Sequence, residues 1–297
     1  MRRRLQLVVN PSAGGGRSAR LLPAVQASLR GAGHDLVVTP TRSLEHADEL
    51  AAQAVADDRV AVAMGGDGLV GRVAGAVAAT GGVMGVLPGG RGNDLCRAVG
   101  LPRDAVPACA VLATGEPRAL DLGVVRSATG ESPFLGIASI GFDSEVQERT
   151  LTTRLRLGRL VYLYGSLVTV ARWQPATFAA TVDGKALTVH GWSFAVANSG
   201  TYGGGMRLAP AASLEDGLLD VVTTSRTGRV RFLRALPKLF SGTHVREPSV
   251  SVSTARCVEL TADRPFRVFA DGDPVGTLPC TISVRPGVVR VLLPPVP

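Results

Sequence analysis

Three glycine-rich turns carry the residues that could do chemistry. The first is Asn10-Pro11-Ser12-Ala13-Gly14-Gly15-Gly16, the second Gly65-Gly66-Asp67-Gly68, and the third Pro88-Gly89-Gly90-Arg91-Gly92-Asn93-Asp94. Glycine lacks a Cβ, so backbone N–H groups can approach a phosphate closely and the chain can take positive φ. The amino end of a following helix adds partial positive charge. Two such turns, each with an Asp, point to a nucleotide site. Neither is a GxxxxGK(S/T) P-loop, and neither is the GxGxxG of dinucleotide binding. Asp67, Asp94 and Asp121 fall near predicted strand ends, where clustered carboxylates can hold Mg²⁺ directly or through water. The competing role is a helix or turn cap. Asp94 and Asp121 stay open between the two; Asp67 favours function.

These turns need strands before them and helices after them. Val60–Met64 and Val83–Leu87 are short apolar runs suited to strands buried on both faces, and small apolar residues at helical spacing begin at Leu69. Leu5–Val9 followed by Arg17–Arg30 repeats the unit. Asp35–Thr39 reads as a strand ended by Pro40, and Ser43 as the cap of a helix running to Ala56. Thr41 lies at that strand's carboxyl end, beside the turns. A helix over Asp104–Thr114 and a strand near Leu120–Val125 complete the pattern. Alternating strands and helices predict a Rossmann-like parallel sheet that binds ligands at the carboxyl ends of its strands.

The texture changes near residue 125. Phe134–Ile140, Phe178–Val182, Leu187–Asn198, Leu218–Thr223, Val250–Thr261, Phe266–Asp271, Thr281–Val284 and Val288–Leu293 read as strands, many alternating as half-exposed antiparallel strands do. Asp183-Gly184 and Asp271-Gly272 look like hairpin turns. The expected architecture is an α/β domain over 1–125 and an antiparallel β-sandwich domain over 126–297. Two helical insertions interrupt the second part, near Glu145–Trp173 and Thr227–Ser241. No acidic residue lies between Glu148 and Asp183, whereas Arg149, Arg154, Arg156, Arg159 and Arg172 do, with Tyr162 and Tyr164. The second insertion is equally one-sided, with Arg226, Arg229, Arg231, Arg234, Lys238 and Arg246. Cationic stretches mixed with apolar residues suit an anionic lipid surface; ordinary solvated helix faces are the alternative.

Composition agrees. The 297 residues carry 32 Lys plus Arg against 24 Asp plus Glu, net +8, which favours anionic partners. Aromatics are only 4%, against stacking on single strands, and no nucleic-acid partner is expected. Cys96, Cys109, Cys257 and Cys280 form no CxxC and read as reduced thiols of a cytoplasmic protein. The opening apolar run is too short for a signal peptide, and no stretch is apolar enough to span a bilayer. A cytoplasmic protein attached peripherally to membrane is expected. A homodimer is compatible with the sequence.

In order along the chain, the motifs resemble those of the diacylglycerol kinase catalytic family. Asn10-Pro11-Ser12-Ala13-Gly14 is similar to its NPxxG turn, Gly65-Gly66-Asp67-Gly68 to GGDGT, and Gly92-Asn93-Asp94-Leu95 with Arg97 to GxNDFxR. Ile137–Asp143 is similar to its SxGxD strand. Tyr202-Gly203-Gly204-Gly205-Met206 and Asp216-Gly217-Leu218-Leu219-Asp220 match its most distinctive stretch, and Asp271-Gly272-Asp273 its DGE turn. The resemblance implies a lipid kinase using ATP and Mg²⁺, with nucleotide and lipid meeting between a nucleotide domain and a lipid-substrate domain. It implies that Asn10, Pro11, Ser12, Ala13, Gly14, Thr41, Gly65, Gly66, Asp67, Gly68, Leu69, Arg91 and Asn93 line the ATP site. Ser213, Asp216 and the Leu218 carbonyl would hold Mg²⁺. Asp273, with Asp271 and Asp67 beside it, would stand where the family's Glu takes a proton from the lipid hydroxyl. The chain departs from the family at Leu69 for Thr, at Gly71-Arg72 for Asn-Glu, at Arg91 for Thr and at Asp273 for Glu. Arg91 or Arg72 would then neutralise phosphate charge. A lipid- or nucleotide-binding relative without turnover, and a NAD kinase-type enzyme sharing the GGDG turn, are the rival readings.

Overall fold

The computed structural model describes residues 2–152 and 161–295. Arg154, Arg156 and Arg159 of the first basic stretch lie outside them, as do the side chains of Tyr162 and Tyr164.

Five strands and five helices alternate through the first part: β1 (Arg4–Val9), α1 (Ala13–Gly31), β2 (Asp35–Pro40), α2 (Leu44–Ala56), β3 (Val60–Gly65), α3 (Asp67–Thr80), β4 (Val83–Pro88), α4 (Asp94–Ala98), α5 (Ala105–Thr114) and β5 (Glu116–Ser127). Strands β2, β1, β3 and β4 pair in parallel in that order. Burial on both faces explains their continuous apolar runs. Ala61 and Ala63 of β3 pack toward α2 and α3, while Val62 and Met64 pack toward α1 and α5. Ser43 caps α2 as expected, its Oγ accepting the His46 N–H at 3.2 Å.

The second part is antiparallel: β6 (Gly130–Phe134), β7 (Ile137–Gly141), α6 (Phe142–Thr152), α7 (Val161–Arg172), β8 (Ala176–Val182), β9 (Lys185–Ala197), β10 (Leu219–Ser225), α8 (Arg229–Ala235), α9 (Lys238–Ser241), a 3₁₀ turn over Thr243–Arg246, β11 (Val250–Ala255), β12 (Cys257–Ala262), β13 (Arg267–Ala270), β14 (Asp273–Thr277) and β15 (Cys280–Leu293). Its core is aromatic. Phe142, Trp173, Trp192 and Phe232 meet edge-on or stacked, with ring centroids 3.8–6.2 Å apart. Asp183-Gly184 and Asp271-Gly272 are the expected hairpin tips, all four residues at left-handed φ.

Several boundaries differ from expectation. Phe134–Ile140 is two strands, because the chain turns at Leu135-Gly136. Val250–Thr261 breaks at Arg256. The two segments expected over 281–293 are one strand, β15, with a register shift between Arg285 and Val289. That strand joins the halves. Its first part pairs antiparallel with β12, its whole length with β5, and its end lies parallel to β4 through Arg290↔Val83 and Val291↔Met84. All fifteen strands thereby form one hydrogen-bonded sheet.

Candidate active site

The three glycine turns converge at the carboxyl ends of β1, β3 and β4. A Cβ added at Gly14 would lie 2.6 Å from the Gly89 carbonyl oxygen, and one at Gly90 would lie 2.5 Å from the Gly66 Cα. Only glycine permits turns packed this closely. Gly14, Gly15 and Gly16 also hold φ of 63°, 70° and 86°, a left-handed run that bars side chains. Asn10 pins the first turn to its neighbour: its N–H donates to the Met64 carbonyl and its Oδ1 accepts the Ser12 N–H, both at 3.0 Å. Thr41 joins the same edge, donating its N–H to the Val9 carbonyl at 2.7 Å. Asn93, at φ 51°, closes the third turn on itself by accepting the Gly90 N–H at 2.9 Å. Arg91 is exposed and reaches over the first turn, its Nη2 3.8 Å from where a Gly15 Cβ would be.

Asp67 opens α3 and caps a different helix. Its Oδ1 accepts the N–H groups of Asp94 (2.7 Å) and Leu95 (3.2 Å) at the start of α4. Burial pushes its pKa up, and those hydrogen bonds pull it back. Asp94 is held from the other half of the molecule: its carboxylate accepts the Gly204 N–H at 2.9 Å, docking the Tyr202–Met206 turn onto the third glycine turn. Burial and the Asp67 charge raise Asp94 to about 6.

The Asp271–Asp273 hairpin tip arrives from the β domain. Asp271 accepts the N–H groups of Leu135 (2.9 Å) and Gly136 (2.8 Å), which fixes the tip. Burial raises its pKa to about 7, with the Asp67 charge adding to the shift. A Cβ at Gly68 would collide with the Asp273 carboxylate. Burial raises the Asp273 pKa, Arg72 lowers it and Asp67 raises it. The structure thus brings Asp67, Asp271 and Asp273 together where the halves meet.

Asp121, Arg72, Leu69 and Gly71 have other surroundings. Asp121 does not join this group; its carboxylate is spent inside the fold, accepting the Gly217 N–H at 2.6 Å and the Gly287 N–H at 2.7 Å. Arg72 is engaged by acids, 2.6 Å from Asp48 and beside Asp273, whereas Arg91 stands exposed over the first turn. Leu69 is 3% exposed and packs beneath Gly65 in the core, so it offers backbone alone to a ligand. Gly71 has a steric reason: a Cβ would stand 3.0 Å from Asp271 Oδ2.

Ser213, Asp216 and Leu218 form a compact loop. Ser213 Oγ accepts the Glu215 N–H (3.2 Å) and Asp216 Oδ1 the Leu218 N–H (3.0 Å). Asp121 fastens this loop through Gly217. The donor set suits a hard cation, being a hydroxyl, a carboxylate and a carbonyl. The Asp216 charge also adds to the raised pKa of buried Asp220, a repulsion that a cation would relieve. Among the described residues, no three His, Cys, Asp or Glu side chains form a metal cluster by themselves.

Tyr202 lies near both Asp94 and Asp143. Burial raises Asp143 to about 6, and Tyr202 is pushed well up by burial and by the charges of Asp143 and Asp94. Asp143 arrives on a fourth strand–glycine–helix turn, β7–Gly141–α6, with Gly141 at φ 92°. The SxGxD resemblance marks Asp143, but its spacing alone gives it no role.

A sheet-borne glycine cradle facing an acidic hairpin is an arrangement suited to phosphoryl transfer, and comparison with known proteins places the chain in a family. Residues 4–125 match the diacylglycerol kinase catalytic domain, and residues 136–293 match the YegS C-terminal NAD kinase beta sandwich-like domain. The chain belongs to the diacylglycerol kinase family. It is 34% identical to a diacylglycerol kinase of Mycobacterium tuberculosis (strain ATCC 25618 / H37Rv) over 97% of this chain and 94% of that one. It is 26% identical to a diacylglycerol kinase of Bacillus subtilis (strain 168), over 93% and 92%. The crystal structure of a diacylglycerol kinase from Bacillus anthracis str. Sterne shares the fold with TM-score 0.74 at 21% identity, over 99% and 98%.

Proposed function

We propose that this chain transfers the γ-phosphate of ATP to the hydroxyl of a diacylglycerol-like lipid, with Asp273 as general base. The observation that carries this reading is the Asp273 carboxylate set against Gly68, at the start of α3 and beside Asp67. Phosphoryl transfer needs positioning and charge neutralisation more than covalent help. The three glycine turns present backbone N–H groups and helix amino ends to the phosphates, and Arg91 adds an exposed positive charge. Asp273 takes the proton of the lipid hydroxyl. Its raised pKa makes it a stronger base than a solvated carboxylate, while the Arg72 charge favours its ionised form. Asp271 holds the hairpin tip at the cleft. Ser213, Asp216 and the Leu218 carbonyl would hold Mg²⁺, which when bound compensates the charges of Asp216 and Asp220.

Exposed Leu151 and Leu167 on α6 and α7, and Val230 and Phe240 on α8 and α9, supply an apolar surface among arginines. They support peripheral attachment to an anionic membrane, where such a lipid is met. No helix among the described residues is long and apolar enough to cross a membrane.

The test is transfer from labelled ATP to a panel of lipids. Asp273→Asn is expected to lower kcat by about 100- to 10,000-fold. Gly68→Ala should also cut it, by displacing Asp273. Unchanged transfer in both variants overturns the assignment. The core position of Leu69, where a hydroxyl is usual in the family, favours a second reading: a relative that binds ATP and lipid without turnover. Saturable ATP binding with no lipid phosphorylated would establish it. NAD is included as acceptor, since NADP formation alone would make the chain a nucleotide kinase instead.

A further inference from the structure

Helices α6 and α7 pack side by side, and with Trp173 and Arg264 they enclose an open hollow of about 220 Å³. The polar groups on its wall are unusual. Thr169 is 1% exposed and Trp173 5%, yet Thr169 Oγ1 and Trp173 Nε1 have no hydrogen-bond partner. Arg149 Nε is also buried and unpaired. Folded proteins leave few buried polar groups unsatisfied, so three on one wall mark a place for an acceptor.

Charge indicates which acceptor. Arg149, Arg172 and Arg264 line the hollow against one acid, Glu145, which lies 3.7 Å from Arg149. Water would satisfy the donors but leave this cationic excess. Arg264 is held in place as a fixed positive charge, its Nη1 and Nη2 donating to the Pro175 and Gln174 carbonyls and its guanidinium 5.1 Å from the Trp173 ring centroid and 5.0 Å from that of Phe266. Guanidinium groups with neutral donors converging from several sides match an oxyanion with many lone pairs.

We propose that this hollow binds a phosphate group, separately from the glycine-lined cleft. The group is either free phosphate or the phosphate of a lipid headgroup at the membrane surface. Both sources present the same chemistry to Arg149, Thr169, Arg172 and Trp173.

Trp173 and Trp192 are the chain's two tryptophans, and they stack on each other with centroids 6.2 Å apart. Intrinsic fluorescence therefore reports on the hollow. The full chain is titrated with inorganic phosphate, and in parallel with phosphatidylcholine vesicles with and without phosphatidylglycerol. A saturable change is expected, weakened about tenfold or more in Thr169→Val and Arg172→Gln and kept in Asp273→Asn. Thr169→Val preserves shape and Arg172 is exposed, so both variants should melt near the parent. Saturation by phosphate alone identifies a free-anion site, and saturation only by the anionic vesicles a headgroup site. No saturable change with either probe, or equal affinity in the parent and the two variants, overturns the proposal.

Discussion

At the residue scale, the site concentrates carboxyl groups whose protonation is set by burial and by one another. Asp271, raised to about 7, holds a proton in the folded chain that the unfolded chain gives up near its ordinary value of 3.8. Between those values the folded state binds more protons than the unfolded state, so stability falls as pH rises from about 4 through about 7. Asp94 and Asp143, each raised to about 6, act in the same direction. Asp271→Asn removes the largest of these shifts. Its melting temperature should decline less than the parent's across that range, and an unchanged slope would show that Asp271 is not the group responsible. Asp271 and Asp273 differ in role although one glycine separates them. The first takes no part in the proposed proton transfer; it accepts two backbone N–H groups and aims the second.

At the element scale, β15 does the most to bind the halves into one molecule. Leu292, 1% exposed, packs with Leu7, Val62 and Leu112 in the core beneath α1 and α5. Leu292→Ala should cost about 2–5 kcal/mol, since the lost contacts and the cavity left behind add. Denaturant unfolding followed both by far-ultraviolet dichroism and by tryptophan fluorescence, which reports only on the β domain, checks it; the two signals should shift together. The sequence made the parallel half plain, because doubly buried strands and glycine turns are local signals. The apolar run of β3 and the Asp271-Gly272 tip were both readable for that reason. The return of β15 to β4 was not, since a register shift near Pro286-Gly287 looks like a loop between two strands. The site was legible as motifs, but its geometry was not. Nothing local to Arg72 or Asp121 announces that the first is paired with Asp48 or that the second clamps two distant glycines.

At the scale of the whole molecule, a net charge of +8 is distributed unevenly. The α6–α9 insertions combine Arg149, Arg172, Arg229, Arg231 and Arg234 with exposed Leu151, Leu167, Val230 and Phe240. Adsorption to anionic vesicles should therefore weaken as salt is raised from about 0.05 to about 0.5 M, where screening shortens the reach of these charges to a few ångströms. Phe240→Ser should weaken it further at every salt concentration, and sedimentation with vesicles measures both. Salt-independent adsorption would mean that the basic helices face elsewhere.

The late return of β15 has a consequence for biogenesis. Translation delivers β4 some two hundred residues before its partner at Arg290 and Val291. Until β15 emerges, a nascent chain carries an unsatisfied strand margin that invites association with its neighbours on the polysome. Both lobes would then gain competence in a single late event, leaving no interval in which a finished phosphate cradle waits without its acidic counterpart.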